Sequence, residues 1–482
     1  MSYVDSKYVD LKKEIFKSYT AKILKVLGGF LSIVILARYL GVSSLGQYFI
    51  ALTLIEILNQ VCSGFAATVQ KRCSESQSNS NEILSISLTM YLVYTLLLFL
   101  PLYLFHERLF NIVSINSNLL FPIYFSVVFV GSFRIITKYV SGLGFPGRAN
   151  FLNAGKNFAS FLLHVVFILM SFGVYHMVLA EALSAFALAV IAIIDKPAIP
   201  SFSKKSLKEV VTFSKWSIPN SLLFIITHRM DVLVLSVFVG PTSVGIYQSA
   251  YKLLQPAIML SNAFSQPLIV KISNLNSKNI DFKEHANKIL AYSGILPIPL
   301  LIGALLLRDR IMTLLFGSDF VGTGLILVIV ALYVTISVYR KQFIAISYGM
   351  DYPSVVFKAQ FLFFIINVPL SIYAAIKFGV IGVIIVTVIS EVITLLLYLY
   401  VHRDIVSSYP IGEIKNQLYS SIIMFALLSP VVFFTEGMTI LINIPILAIG
   451  GIIYSVSLLL LSSEIRKFMK ENWKEIREKI SL

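Results

Sequence analysis

The sequence predicts an all-α polytopic membrane protein of about fourteen transmembrane helices, arranged as two six-helix lobes in a V plus two C-terminal helices. The first observation is composition, because 57% of the 482 residues are hydrophobic and 13% are charged, against about 25% charged in average soluble domains. The second is that apolar runs exceed about 18 residues, the length that a helix needs to cross roughly 30 Å of hydrocarbon. The third is an internal repeat with an offset of 199 residues.

Fourteen apolar segments follow one another along the chain. Their predicted bounds are 18–40, 45–69, 83–105, 118–140, 151–172, 174–194, 213–239, 244–270, 287–307, 322–348, 354–376, 379–401, 415–435 and 440–461. Beyond them, residues 462–482 alternate acids and bases around apolar residues at helical spacing. This pattern predicts an amphipathic cytoplasmic tail on the inner leaflet, bound by apolar contacts and anionic lipid. A solvated tail is the alternative.

Basic residues fall mostly in one set of alternate loops. Of the 39 Lys and Arg residues, 26 lie in the termini and in or beside the loops on the same side, five lie in or beside the opposite loops, and the other eight lie deeper within predicted helices. Because cytoplasmic loops carry the excess of positive charge, this distribution predicts both termini in the cytoplasm and an even number of helices. It also accounts for the net charge of +15 without a nucleic-acid partner.

A repeated turn motif organises the chain. It reads LGVSSLGQY from Leu40 to Tyr48, and it returns as VGPTSVGIY from Val239 to Tyr247. Two copies in the same orientation predict two six-helix lobes, with the substrate site between them near the midplane. The predicted regions are the N-lobe (1–194), a Lys- and Pro-rich cytoplasmic linker (195–212), the C-lobe (213–402), helices 13 and 14 (403–461) and the tail (462–482).

Ionisable side chains inside the predicted helices are the candidate functional residues, because a charge in hydrocarbon is unfavourable unless it meets a partner or a cavity. The cations are Lys22, Lys25, Arg134, Lys156, Lys215, Arg229, Lys252 and Lys358, and the acids are Glu56, Glu181, Asp231 and Glu391. For Lys22, Arg134, Lys156 and Lys358, the alternative is that the side chain snorkels to the inner surface.

Arg229 is the cation that is hardest to explain by structure alone. Asp231 and Lys252 lie at nearly equal depth in the membrane and could form a structural ion pair. Arg229 would then have no acid as a partner, since Arg229 and Asp231 are two residues apart on a helix and do not face each other. We therefore expect an unpaired guanidinium that faces water or an anion. Its planar fork of donors suits phosphate.

Any of the four acids could carry a coupling proton or bind sodium, because desolvation favours the protonated carboxyl. Glu56 is the preferred candidate, and its repeat position holds Gln255. For Glu181 and Glu391, a hydrogen bond to a neighbouring helix is the alternative. We expect no metal site, no resident cofactor and no enzymatic activity, because the sequence has no nucleotide-binding loop, no metal-ligand cluster and no large outer loop.

The run ILARYLGVSSLGQY, from Ile35 to Tyr48, resembles the N-terminal signature of polysaccharide and O-antigen flippases. This branch belongs to the superfamily that also holds multidrug and toxin extruders and the lipid II flippase. The resemblance implies alternating-access transfer of a polyprenyl (di)phosphate-linked oligosaccharide across a prokaryotic plasma membrane, for cell-surface polysaccharide or glycan assembly. Membrane lipids and other polysaccharide-assembly proteins are the expected partners.

The same resemblance implies roles for the buried polar residues. Phosphate binding is assigned to Arg229, Lys252, Lys25, Lys22, Arg134 and Lys156. Glycan contacts are assigned to Asn59, Gln60, Asn153, Asn157, Asn220 and Gln255. Ion coupling is assigned to Glu56, Asp231, Glu181 and Glu391.

Two other functions remain open at this point. A cation-coupled multidrug exporter of the same superfamily is disfavoured because the interior cations outnumber the acids, whereas a cavity for cationic drugs should be acidic. A membrane glycan polymerase or ligase is disfavoured by the short outer loops and by the parallel repeat.

Overall fold

The computed structural model describes residues 11–75, 79–406, 411–435 and 443–467, and for parts of the first and seventh helices it describes the backbone alone. These residues form an all-helical fold. The helices are α1 (Leu11–Leu58), α2 (Gln60–Cys73), α3 (Ser80–Ile112), α4 (Leu120–Gly142), α5 (Pro146–Leu169), α6 (Val174–Asp195), α7 (Lys204–Phe238), α8 (Pro241–Leu253), α9 (Gln255–Ser277), α10 (Lys283–Ser293), α11 (Pro297–Phe316), α12 (Gly324–Gly349), α13 (Pro353–Val401), α14 (Arg403–Val406), α15 (Ile411–Phe434) and α16 (Asn443–Leu461).

Glycines interrupt the two longest helices. In α1 the break is at Gly41 (φ 74°), and in α13 it is at Gly379 (φ 59°). Positive φ values favour glycine because it has no Cβ. Each of these two helices therefore contains more than one predicted apolar segment. Among the described residues, ten helices are long and apolar enough to cross a membrane, and the number fourteen stays a prediction.

The chain forms two compact units, residues 1–248 and 249–482, which we call the N-unit and the C-unit. The boundary falls within α8, beyond the predicted linker at 195–212. Helix α7 belongs to the N-unit because it packs against α1, α2 and α3. The assignment of lobes to 1–194 and 213–402 stays a prediction, since it rests on the sequence repeat rather than on packing.

Each unit has its own apolar core. In the N-unit, α1 packs against α5, α4 packs against α6, and α2 packs against α7, around buried side chains that include Phe65, Val69 and Ile83. In the C-unit, α12 packs against α9, α11 and α13, around Phe343, Ile346 and other buried residues. The last two helices, α15 and α16, pack against each other and against α11. Of the predicted tail, residues 468–482 lie outside the described residues.

The two copies of the repeated turn motif pack on each other within the N-unit. A Cβ at Gly46 would overlap the carbonyl of Pro241, and a Cβ at Gly245 would overlap the carbonyl of Val42 and lie 3.3 Å from the nitrogen of Gly46. Only glycine allows the backbones of α1 and α8 to approach this closely. The motif glycines at the preceding turns, Gly41 and Gly240, both adopt positive φ.

Candidate functional site

Arg229 of α7 forms an ion pair with Glu56 of α1 inside the N-unit. Its Nε donates to Glu56 Oε2 over 2.6 Å, and Nη2 lies 2.5 Å from the same oxygen. The two side chains are 26% and 36% exposed, so the pair is only partly removed from solvent. The expectation of an unpaired guanidinium is therefore wrong. The guanidinium is paired because α7 packs against α1, and this contact brings Glu56 within hydrogen-bonding distance of Arg229.

Glu56 lies in the last turn of α1, just before a break in the helix at Asn59. Helix α1 ends at Leu58 and α2 begins at Gln60, with Asn59 between them. The hydroxyl of Tyr94 donates to the Leu58 carbonyl over 2.9 Å, and that of Tyr91 donates to Asn59 Oδ1 over 2.6 Å. Both tyrosines belong to α3, so one helix fastens both sides of the break.

The residues at the break that were predicted to contact glycan are buried in the N-unit. Asn59 is fully buried and accepts the hydrogen bond from Tyr91, and a Cβ at Gly131 of α4 would meet both of these side chains. Gln60 is 7% exposed, and its amide donates to the carbonyl of Glu56 over 2.8 Å. In this conformation the two amides stabilise the helix break.

A second ion pair joins α5 to α6. Lys156 contacts Glu181, and Glu181 Oε1 also accepts hydrogen bonds from Ser160 Oγ (2.7 Å) and from the hydroxyl of Tyr48 (3.1 Å). The side chains of Lys156 and Glu181 are 12% and 14% exposed. Lys156 therefore binds a neighbouring acid rather than snorkelling to the surface. Glu181 makes the interhelical hydrogen bonds that were the alternative to ion coupling.

His164 adds to the polar cluster around Glu181. Its Nδ1 lies 2.6 Å from the hydroxyl of Ser32 on α1, and its Nε2 lies 3.1 Å from the carbonyl of Met177 on α6. Because a carbonyl only accepts, Nε2 carries the proton and Nδ1 accepts from Ser32 in the neutral ring. The cluster ties α1, α5 and α6 together.

The C-unit contains a third ion pair, between Arg340 of α12 and Glu391 of α13. Arg340 Nη2 donates to Glu391 Oε1 over 2.9 Å, and its Nε bonds to Oε2. Arg340 is 9% exposed and Glu391 is 1% exposed. Arg340 lies near the end of the predicted segment 322–348, was counted with the basic residues of the adjoining loop, and was not among the candidate functional residues. The repeat offered a signal, because Tyr339-Arg340 aligns with Phe133-Arg134 in the first copy.

The other predicted phosphate and ion sites are spread over several helices. Arg134 is half-buried and donates to Ser63 Oγ over 2.7 Å. Asp231 accepts from the hydroxyl of Tyr247 over 3.0 Å, and Lys252 lies half-buried in the last turn of α8. The side chains of Lys22 and Lys25 lie outside the described part of the chain.

The remaining predicted glycan contacts lie on α5, α7 and α9. On α5, Asn153 donates to the carbonyl of Ala149 over 2.7 Å, and Asn157 is half-buried. Gln255 begins α9 and is also half-buried. The side chain of Asn220 lies outside the described residues. Among the residues that the structure describes, no three His, Cys, Asp or Glu side chains are placed to hold a metal ion.

A comparison with known families shows which family the chain belongs to. A family model described as "Polysaccharide biosynthesis protein" matches residues 35–325, which is more than half of the chain. The chain belongs to this polysaccharide biosynthesis family. A curated relative from Haloferax volcanii, named probable low-salt glycan biosynthesis flippase Agl15, is 23% identical over 435 residues, with 87% of this chain and 89% of the relative covered. A second relative from that organism, the probable flippase AglR, is 27% identical over 251 residues, with 50% of this chain and 52% of the relative covered.

Solved structures share the fold. The lipid II flippase MurJ, in an inward closed conformation, aligns with a TM-score of 0.74 at 18% identity, covering 93% of this chain and 99% of MurJ. An inward-facing multidrug resistance transporter of the MATE family, from the MOP superfamily, aligns with a TM-score of 0.60 at 14% identity, covering 79% and 95% of the two chains. The protein is thus a multi-pass membrane protein with the fold of this superfamily.

Proposed function

We propose that the protein is a flippase that transfers a lipid-linked oligosaccharide across a membrane during glycan assembly. The observation that carries this proposal is membership of the polysaccharide biosynthesis family, together with the similarity to Agl15 over almost the whole length of both chains. The protein is accordingly a translocator and not an enzyme. The fold shared with MurJ agrees with this assignment.

The substrate is a polyprenyl monophosphate or diphosphate carrying a glycan, and its phosphate is recognised by Arg229. A guanidinium has five N–H donors, and it forms bidentate hydrogen bonds with phosphate. The pair with Glu56 is partly exposed, so an incoming anion can compete with the carboxylate for the same nitrogens. Lys252, Lys22, Lys25 and Arg134 are further candidates for the same role.

Glu56 links this site to ion movement. Protonation of Glu56 removes its negative charge and weakens the pair, and phosphate binding at Arg229 displaces the carboxylate. Both events favour the state in which the Glu56–Arg229 ion pair is broken. Substrate binding is thereby coupled to the binding of a proton, or of another cation that neutralises Glu56. No resident cofactor takes part in this scheme.

The proposed location is the plasma membrane of a prokaryote, with both termini in the cytoplasm. The distribution of Lys and Arg supports this orientation. Glycan is then loaded on the basic, cytoplasmic side. Transfer then proceeds to the outer leaflet, where other assembly proteins receive the glycan.

The test is a transbilayer assay with the purified chain in vesicles that contain a labelled polyprenyl diphosphate oligosaccharide. We expect the native protein to move the glycolipid and Arg229→Ala to lose at least about 90% of that rate, because a charge-assisted contact to phosphate is removed. Arg308→Ala is the matched control, since Arg308 is half-exposed and pairs only with the adjacent Asp309 among the described residues. It should retain the native rate.

Failure of the native protein to move the glycolipid would contradict the proposal. Expulsion of a cationic dye on a proton or sodium gradient by the same vesicles would instead indicate the multidrug exporter, whose fold the chain shares.

A further inference from the structure

A groove of about 330 Å³ lies in the N-unit where the segment before α7 meets the beginning of α3. Ile86 and Met90 of α3 form one wall. Phe202, Lys204 and Leu207 form the other. The groove contains no residue that was assigned to substrate, glycan or ion, and it lies outside the ion pairs of the N-unit.

Hydrogen bonds fix the two walls to each other. The hydroxyls of Ser203 and Ser206 each donate to Glu82 Oε2 over 2.6 Å. The backbone nitrogen of Ser201 donates to Ser85 Oγ over 3.3 Å. Ser203 also caps α7 by accepting from the nitrogen of Ser206 over 3.1 Å. The groove is therefore preformed, and it does not depend on a bound molecule to hold its shape.

Apolar side chains near the groove are exposed to an unusual degree. Ile199 is 72% exposed, Phe202 is 64% exposed and Leu207 is 44% exposed. Further along α3, Leu92 and Leu96 are also exposed, which is the surface that a membrane helix presents to acyl chains. The groove thus continues the lipid-facing surface of α3, and hydrocarbon is the medium that makes such exposure favourable.

The mouth of the groove is basic. Lys204, Lys205 and Lys208 are exposed. Lys205 interacts electrostatically with Glu82, but none of the three forms an ion pair with an acid within 4 Å among the residues that the structure describes. The nearby carboxylate of Glu82 already accepts hydrogen bonds from two serines, and the only other acid in this turn, Glu209, is half-buried. Lys204 lines the groove, and Lys205 and Lys208 are exposed neighbours of it in the first two turns of α7.

We propose that this groove binds an anionic glycerophospholipid of the surrounding membrane, as a site separate from that of the transported glycolipid. One acyl chain lies against Ile86, Met90 and Leu207, and the phosphate contacts the lysines at the mouth. Basic residues beside a membrane surface favour anionic lipids, and the apolar walls select a lipid over a soluble anion. Bound lipid fastens the segment before α7 to α3 and stabilises the N-unit.

Competition between two lipids tests this site on the full-length chain in detergent. The measurement is native mass spectrometry with equal amounts of phosphatidylglycerol and phosphatidylcholine, followed by thermal unfolding with each lipid. We expect preferential retention of phosphatidylglycerol and a higher unfolding temperature with that lipid alone. The triple variant Lys204→Gln, Lys205→Gln, Lys208→Gln should reduce the preference about tenfold or more.

A control with the same change in charge separates this site from general electrostatics. Lys271, Lys278 and Lys283 are exposed residues of the C-unit, and their triple replacement by Gln should leave the preference unchanged. The variant Thr89→Trp fills the groove from α3 and keeps every lysine, so it should lower retention of phosphatidylglycerol while the lipid-free unfolding temperature is maintained.

Three results would overturn the proposal. Equal losses in the two triple variants would indicate diffuse attraction without a site. Unchanged retention in Thr89→Trp would exclude the groove. An equal stabilisation by inorganic phosphate or by glycerol phosphate would indicate a soluble anion in place of a lipid. None of these measurements depends on glycolipid transfer, so the lipid site and the proposed function fail independently.

Discussion

At the scale of single residues, the ion pairs formed by Glu56, Glu181 and Glu391 differ in how far they are exposed. The side chains of Glu56 and Arg229 are 36% and 26% exposed, whereas those of Lys156 and Glu181 are 14% or less and those of Arg340 and Glu391 are 10% or less. The first pair is the least enclosed of the three, so an incoming anion can compete for its guanidinium. The other two pairs are enclosed, and each satisfies charges that would otherwise be strongly unfavourable.

Exchanging the charges of the first pair distinguishes a structural from a functional role. In Glu56→Arg with Arg229→Glu, the ion pair can reform, so the protein should fold and insert with near-native yield. Transfer of glycolipid should still fall at least about tenfold, because the cation now projects from α1 instead of α7. The measurements are the yield of monodisperse protein and the transbilayer rate. Full recovery of transfer would show that the pair serves only to join the helices.

Removing one partner of an enclosed ion pair should destabilise the fold more than removing both partners. Lys156→Met leaves the carboxylate of Glu181 without its ammonium, and breaking a buried pair in this way destabilises by about 3–5 kcal/mol. The double variant Lys156→Met, Glu181→Met removes both charges and should recover most of that loss. Thermal unfolding in detergent measures both effects. Equal destabilisation in the single and double variants would contradict a purely structural pair.

At the scale of elements, the repeated turn motif acts by allowing two helices to touch through their backbones. Gly46→Ala places a methyl group on the carbonyl of Pro241, so we expect α1 and α8 to separate and glycolipid transfer to be lost. Gly28→Ala is the matched control, because nothing lies within 4 Å of a Cβ at that position of α1. It should be neutral or slightly stabilising. Native transfer by Gly46→Ala would mean that the contact is dispensable.

The break between α1 and α2 is a second element with a local cause. Tyr91→Phe removes the donor to Asn59 Oδ1 and leaves a buried amide oxygen without that partner, which costs about 1–3 kcal/mol. Tyr94→Phe affects a partly buried bond to the Leu58 carbonyl and should cost less. Hydrogen exchange at residues 56–62 should rise more in the first variant. Equal exchange in both would show that Tyr91 does not fasten the break.

At the scale of the whole molecule, the predicted orientation in the membrane rests on the distribution of charge and can be measured directly. Cys62 and Cys73 are both buried and free, and replacing them by Ala or Ser gives a background for single cysteines. In this background, Lys278→Cys should react with a membrane-impermeant thiol reagent only from the cytoplasmic side. Arg308→Cys should react with the same reagent only from outside. The reverse pattern would invert the proposed direction of loading.

The apolar segments and the two copies of the turn motif were predictable from the sequence, because each depends on residues that are near one another in the chain. The pairing of Arg229 with Glu56 was not, since the two residues are 173 positions apart and their contact depends on how α7 packs against α1. For the same reason the charge pattern did not predict the pair of Arg340 with Glu391, which lies in the next helix.

The sequence by itself determined the class of protein, the two copies of the turn motif and the set of ionisable side chains inside the helices. These follow from hydropathy and from spacing, which act locally and need no packing. The tertiary structure decided which acid meets which base, which amides are buried at the helix break and where a preformed groove lies beside exposed lysines. Such features depend on contacts between distant segments, and a linear pattern of residues does not specify them.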